Sequence, residues 1–144
     1  MRGLIRVNRL RMLAKRMALM CLLLAFASPA APASALGLNA LRAASHRAPL
    51  RADGALAAMA AQHAADLARR DRLDHAGFMS ERGPAGARAE NVAYGCPDQA
   101  CVIGQWSRSA RHRANMLRVD VHGYGIASAV SSSGRRYWVL VVGR

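Results

Sequence analysis

The sequence predicts a layered α+β domain behind an export leader. Three observations carry this expectation. Apolar positions recur at three- and four-residue steps between residues 55 and 73. At the C-terminus the period changes: Tyr124–Val130 and Tyr137–Val142 read as two strands around a turn at Ser131–Gly134. No repeat, long linker or low-complexity tract divides residues 36–144, so helices first and a hairpin last belong to one unit.

The leader is read from its order of parts. Arg2, Arg6, Arg9, Arg11, Lys15 and Arg16 carry its charge, with no acid among them, and the apolar run Met17–Ala27 follows. Small residues then lead to Ala33, Ser34 and Ala35, an A-x-A cleavage site. The apolar run is well short of the roughly 20 residues a bilayer span takes. Residues 1–35 are therefore expected to be a signal peptide and residues 36–144 the exported domain, secreted or periplasmic, with no transmembrane segment. Cys21 lies inside the apolar run after bulky Met20 and makes no lipobox.

Within the exported part a short helix is expected over Leu38–Ser45. Pro49, Leu50, Asp53 and Gly54 follow as a turn, with Asp53 placed to cap the next helix. That helix covers 55–73, with Leu56, Met59, Ala60, His63 and Leu67 on its apolar face, arginines in its last turn and Gly77 as its stop. Residues 77–89 read as a surface loop, and Asn91–Tyr94 as a short strand or turn. A helix from Pro97 to Arg108 buries Cys101, Val102, Ile103 and Trp106, and a shorter one runs from Ser109 to Leu117.

Two cysteines remain after the leader, Cys96 and Cys101, and an even count in an exported chain points to a disulfide. Five helical steps rise about 7.5 Å, beyond disulfide reach, so Cys96 must lie off the helix that carries Cys101. Metal binding by the pair is the weaker alternative, because two thiols without neighbouring ligands make an incomplete zinc site.

Composition narrows the function. Residues 36–144 hold fifteen arginines, no lysine and eight acids, spread along the chain. Such a surface suits solvent or an anionic lipid or cell-surface partner. No interleaving of arginine with aromatics points to nucleic acid. There is no G-x-S-x-G, H-E-x-x-H or glycine-rich phosphate loop.

Four stretches, in this order, resemble a known family: Leu38–Arg42; the helix end at Leu73, Asp74 and His75; Glu90–Gly95; and Trp106–Leu117. They are similar to the CAP superfamily (cysteine-rich secretory proteins, antigen 5 and pathogenesis-related 1 proteins) in its short bacterial SCP-domain form. The likeness continues through Gly123–Ile126, Tyr137 and Trp138. It implies a three-layer α-β-α sandwich with a small antiparallel sheet, and a cleft of two histidines and two acids that binds a divalent metal in some members. His75 matches the first histidine, Glu90 the acid of the Glu-Asn motif, and His112 the second histidine. Ser109 stands where the second acid falls, and Ala110 and Arg111 replace the usual Pro-Gly.

The resemblance thus gives His75, Glu90 and His112 as the candidate cleft, with His75 and His112 as tentative ligands of a weakly held metal such as zinc. The same three side chains could instead form a structural polar cluster or do acid–base work. His63 reads as a satisfied core histidine, with an extra cleft ligand as its functional alternative. Arg108, Arg111, Arg113 and Arg118 surround His112 as a solvated rim or as a favourable mouth for an anion. The resulting expectation is an exported, monomeric binding or interaction module of a bacterial envelope or secretome, needing no cofactor. A metal-dependent hydrolase using His75, Glu90 and His112, and a carrier of lipid or another apolar ligand, are the alternatives.

Overall fold

A computed structural model of the chain describes residues 37–144; the expected signal peptide and its cleavage site lie outside the described residues. Helix α1 (Leu38–Ala44) buries Leu38, Leu41 and Arg42. Its Asn39 amide donates to the carbonyl of Leu50, and its amide oxygen accepts the Leu50 N–H, both at 2.9 Å. Strand β1 (Arg51–Ala52) follows where the sequence suggested only a turn. Two residues are too few to show alternation, and the strand exists because it pairs in parallel with a strand much later in the chain.

Helix α2 (Gly54–Arg70) begins as expected, with Asp53 accepting the Leu56 N–H at 2.9 Å. It ends at Arg70, not at residue 73, and Gly77 is not its stop. Asp71 takes the left-handed conformation (φ 45°) that closes the helix. Its carboxylate accepts hydrogen bonds from Tyr137 Oη at 2.8 Å and Ser133 Oγ at 2.9 Å, so tertiary contacts hold a conformation that glycine would otherwise supply.

The expected surface loop holds one π-helical turn (Phe78–Arg82) and the start of strand β2 (Ala87–Tyr94). Helix α3 (Gln99–Ser107) is capped by Asp98, which accepts the Cys101 N–H at 2.8 Å; Pro97 therefore precedes the helix instead of opening it. Helix α4 (Ala110–Met116), strand β3 (Gly123–Val130) and strand β4 (Arg136–Gly143) complete the chain.

The sheet order is β1-β3-β4-β2. β4 pairs antiparallel with both β2 and β3, and β1 adds a short parallel edge. Alternation along central β4 divides the core. Trp138, Leu140 and Val142 join Leu38, Leu41, Val102, Ile103, Trp106 and Met116 on one face. Tyr137, Val139 and Val141 join Leu56, Ala60, Ala64 and Leu67 of α2 on the other. The result is a three-layer α-β-α sandwich, the architecture the resemblance implied. Both faces of β4 are buried, which is why it reads as a continuous apolar run instead of a half-polar strand.

Two details set the geometry of the site. A register shift between Ala87 and Ala89 lets Arg88 stand as the extra residue of a bulge. Ala87 packs with the α2 layer and Ala89 with the opposite one, although two residues apart they would normally share a face. The bulge thereby sets the side to which every later β2 side chain points. Secondly, α2 lies directly on β3: a Cβ on Gly125 would sit 2.1 Å from the Ala57 backbone nitrogen. Cys96 and Cys101 are disulfide-linked, with their Cα atoms 5.5 Å apart and Cys96 off the helix.

Candidate functional site

The site is built around Glu90 on β2, an edge strand that α3 and α4 cover. Trp106 Nε1 donates to the Val92 carbonyl at 3.3 Å, and Asn115 Nδ2 to the Glu90 carbonyl at 3.2 Å. Both bonds occupy strand-edge acceptors that would otherwise face an open groove. Glu90 and Asn91 point to opposite faces. Asn91 turns to α4, donating to the His112 carbonyl at 3.0 Å and accepting from Asn115 at 2.9 Å. Glu90 turns to the α2 side.

There the Glu90 carboxylate is almost wholly buried and surrounded by donors. Oε2 accepts from Arg82 Nε at 2.6 Å, and Oε1 accepts from Arg82 Nη2 at 3.0 Å and from His75 Nδ1 at 2.9 Å. His63 Nε2 lies 3.6 Å from Oε1. Burial by itself raises the carboxyl pKa. The hydrogen bonds from His75 and Arg82, with the charges behind them, outweigh it and hold Glu90 below the usual carboxylate range.

A bond to an ionised carboxylate requires the proton on Nδ1 of His75, so in the neutral ring the lone pair is on Nε2. The His75 side chain is 53% exposed while Glu90 is only 1% exposed, so a half-exposed imidazole is oriented by a buried carboxylate. The loop bearing it is fixed from below. Arg70 bridges Asp66 and Asp74, and His63 Nε2 donates to the Asp74 carbonyl at 3.0 Å.

His112 stands on α4, with Nδ1 2.9 Å from Ser109 Oγ. Burial first, and then the charge of His75, lower its pKa. Leu73, Val92, Ala93, Tyr94, Trp106 and His112 border a groove of about 380 Å³ along the β2 edge.

The geometry sorts the sequence expectations. His75 and Glu90 are in direct contact, whereas the side-chain partner of His112 is Ser109 and not Glu90. His63 is a buried core histidine with a satisfied nitrogen, and that nitrogen also lies 3.6 Å from Glu90. Of the arginines around His112, Arg113 turns to Ser45 and Arg118 pairs with Asp120, leaving Arg108 and Arg111 exposed. Arg82, the main partner of Glu90, reads in the sequence only as a loop charge. The one signal available is its place in a loop too rich in glycine to bury much else.

A three-donor zinc site does not fit these residues. Both Glu90 oxygens face a guanidinium, so a cation there would have to displace Arg82, and only two imidazole nitrogens remain where catalytic zinc takes three protein ligands. Among the described residues no group of three or more His, Cys, Asp and Glu side chains is arranged to hold a metal ion. Among them, too, no helix is long and apolar enough to cross a membrane.

Comparison with known proteins gives a consistent picture. The family model described as the cysteine-rich secretory protein family, CAP, matches residues 37–142. Among solved structures, an outer surface protein from Borrelia burgdorferi superposes with a TM-score of 0.60 at 16% identity, covering 74% of this chain and 86% of that one. An extracellular protein containing an SCP domain from Bacillus anthracis gives 0.57 at 22% identity, covering 72% of this chain and 37% of that longer one. At these identities the likeness is one of fold. No curated protein matches the sequence.

Proposed function

This chain belongs to the cysteine-rich secretory protein (CAP) family, and on that premise we propose that it is an exported binding module of a bacterial envelope or secretome, holding its ligand in the groove bordered by His112 and by Leu73 and Val92, each two residues from the His75–Glu90 pair. One observation carries the reading: Arg82 and His75 already occupy the Glu90 carboxylate, so the groove along the β2 edge offers the His112 imidazole beside an apolar wall and no assembled catalytic centre. A ligand with a hydrogen-bonding group next to an apolar or ring-shaped body fits that lining. The hydrolase alternative is weakened because it needs Glu90 as a free base or ligand.

Export is supported by the A-x-A site at Ala33–Ala35, by the start of the family match at residue 37, by the disulfide, and by the surface and extracellular descriptions of the two structural neighbours. In this reading residues 1–35 are removed and residues 36–144 act as one domain.

Native mass spectrometry of the secreted protein tests both parts. The expected result is a chain starting near Leu36 with a retained small molecule whose occupancy falls at least tenfold in His75→Ala and His112→Ala. Recovery only as a full-length cytoplasmic chain would refute export. Turnover of a substrate that vanishes in these variants while folding is intact would replace the binding module with a hydrolase. Retention of lipid indifferent to both substitutions would make it a carrier.

A further inference from the structure

A second cavity lies away from the groove, where the end of α1 meets β1 and the loop before β3. It measures about 690 Å³, and its polar lining is basic, with three arginines and two histidines: Arg42, His46, Arg47, Arg51 and His122, with Val119 and Pro49 among its apolar parts. Local backbone geometry gathers these groups. His46 adopts a left-handed conformation (φ 54°), and the N–H groups of His46 and Arg47 close back on Ala43 and Arg42 at 3.0 and 2.9 Å, so both residues stand at the helix end. Arg51 N–H donates to the His122 carbonyl at 3.0 Å, which brings those two side by side from distant parts of the chain.

No carboxylate among the described residues lines this cavity. The nearest acids in sequence are committed elsewhere: Asp53 caps α2, and Asp120 receives Arg118 at 2.6 and 2.9 Å. Arg42, 2% exposed, is met by carbonyls of Ala48, Met116 and Arg118 and by no anion. It is held there as a structural tie, and its charge adds to the field of its neighbours without being neutralised. Arg47 and Arg51 are exposed and form no ion pair among the described residues.

The geometry points to a binding site for a phosphoryl group carried on a polar body, with Arg47 and Arg51 as its forked donors and His46 and His122 as neutral or charged N–H donors at the rim. Guanidinium matches phosphate oxygens in bidentate fashion, and imidazole N–H can add to it in either charge state. The volume exceeds that of a phosphate alone, which is why a sugar- or glycerol-like body is included. Such a group exists both on soluble esters and on anionic lipid headgroups.

The test uses the exported domain with two probes: glycerol 3-phosphate in solution, followed by amide chemical shifts, and vesicles of phosphatidylglycerol against phosphatidylcholine, followed by co-sedimentation. Saturable binding to either phosphate source is expected, with shifts confined to residues 46–51 and 119–122 for the soluble ester. Arg47→Gln with Arg51→Gln should weaken it at least tenfold. Arg69→Gln with Arg88→Gln removes the same charge at exposed positions outside the cavity and should leave it unchanged. Binding confined to phosphatidylglycerol vesicles, and lost in the first variant, would identify the lipid headgroup as the source. Equal weakening by both double variants, or no saturable binding to either probe, would overturn the assignment.

Discussion

Replacing Arg82 by methionine should destabilise the domain strongly and in a pH-dependent way. The side chain is buried, and it contributes two of the three hydrogen bonds received by the Glu90 carboxylate, at 2.6 and 3.0 Å. Methionine keeps much of the volume but leaves a buried charge with His75 alone as donor. Removing one partner of a buried pair costs about 3–5 kcal/mol. Because His75 Nδ1 remains in place and His63 lies 3.6 Å away, the low end, about 3 kcal/mol, is expected near pH 8. The deficit should shrink towards about pH 4, because Glu90, held below the usual carboxylate range with Arg82 in place, loses a main cause of that lowering in the variant and takes up its proton at higher pH. The stability that Arg82 lends to a lowered Glu90 is present above the ordinary carboxylate range, about pH 4.3, and lost as pH falls through it. Urea unfolding of wild type, Arg82→Met, Glu90→Gln and the double variant, at both pH values, gives the measurement. The double variant should be more stable than Arg82→Met, since it no longer buries an unmatched charge. A deficit below about 1 kcal/mol at pH 8, or a double variant with purely additive losses, would refute the assignment of Arg82 as the group that makes a buried Glu90 tolerable.

Gly125→Ala should destabilise by about 3 kcal/mol or abolish folding, because its Cβ would overlap the α2 backbone; a melting curve like wild type would contradict the close packing of α2 on β3. Cys96→Ser with Cys101→Ser should cost at most about 2 kcal/mol and preserve the far-UV spectrum, given the short loop the bond closes. Acid should weaken the fold in two steps. The His112 pKa is lowered, so stability present above the ordinary histidine range is lost as pH falls through it, and His112→Gln should remove that step. Glu90, also lowered, adds a further loss below the usual carboxylate range, absent in Glu90→Gln; unfolding followed by tryptophan fluorescence from pH 7 to 3 measures both.

Elements with a full period were legible in the sequence. The face of α2 with Leu56, Ala60, His63 and Leu67, its Asp53 cap, and the strands β3 and β4 all follow from spacing and turn chemistry. The missed features depend on long-range partners. Two residues of β1 show no pattern and are strand only because Gly123 and Tyr124 lie beside them. Asp71 closes α2 because Tyr137 and Ser133 hold it, so the helix stops before the residue type that usually stops one. His75 and Glu90 were legible through resemblance, as their order in the chain carries that likeness. Arg82 was not, because a buried arginine and a solvated one look alike until the carboxylate opposite is known.

The adjacent pair Glu90 and Asn91 has a mechanical consequence. One side chain is anchored in the α2 layer through His63, His75 and Arg82, and the next in α4 through Asn115 and the His112 carbonyl. A single peptide unit thus acts as a rivet driven through the sheet, clamping both helical plies of the laminate at one point. Loosening either side tugs on the same link, so the two outer layers cannot open independently near the groove. Occupancy of one wall would stiffen the far side of the molecule, and the amides of residues 90–92 would register it as slowed hydrogen exchange.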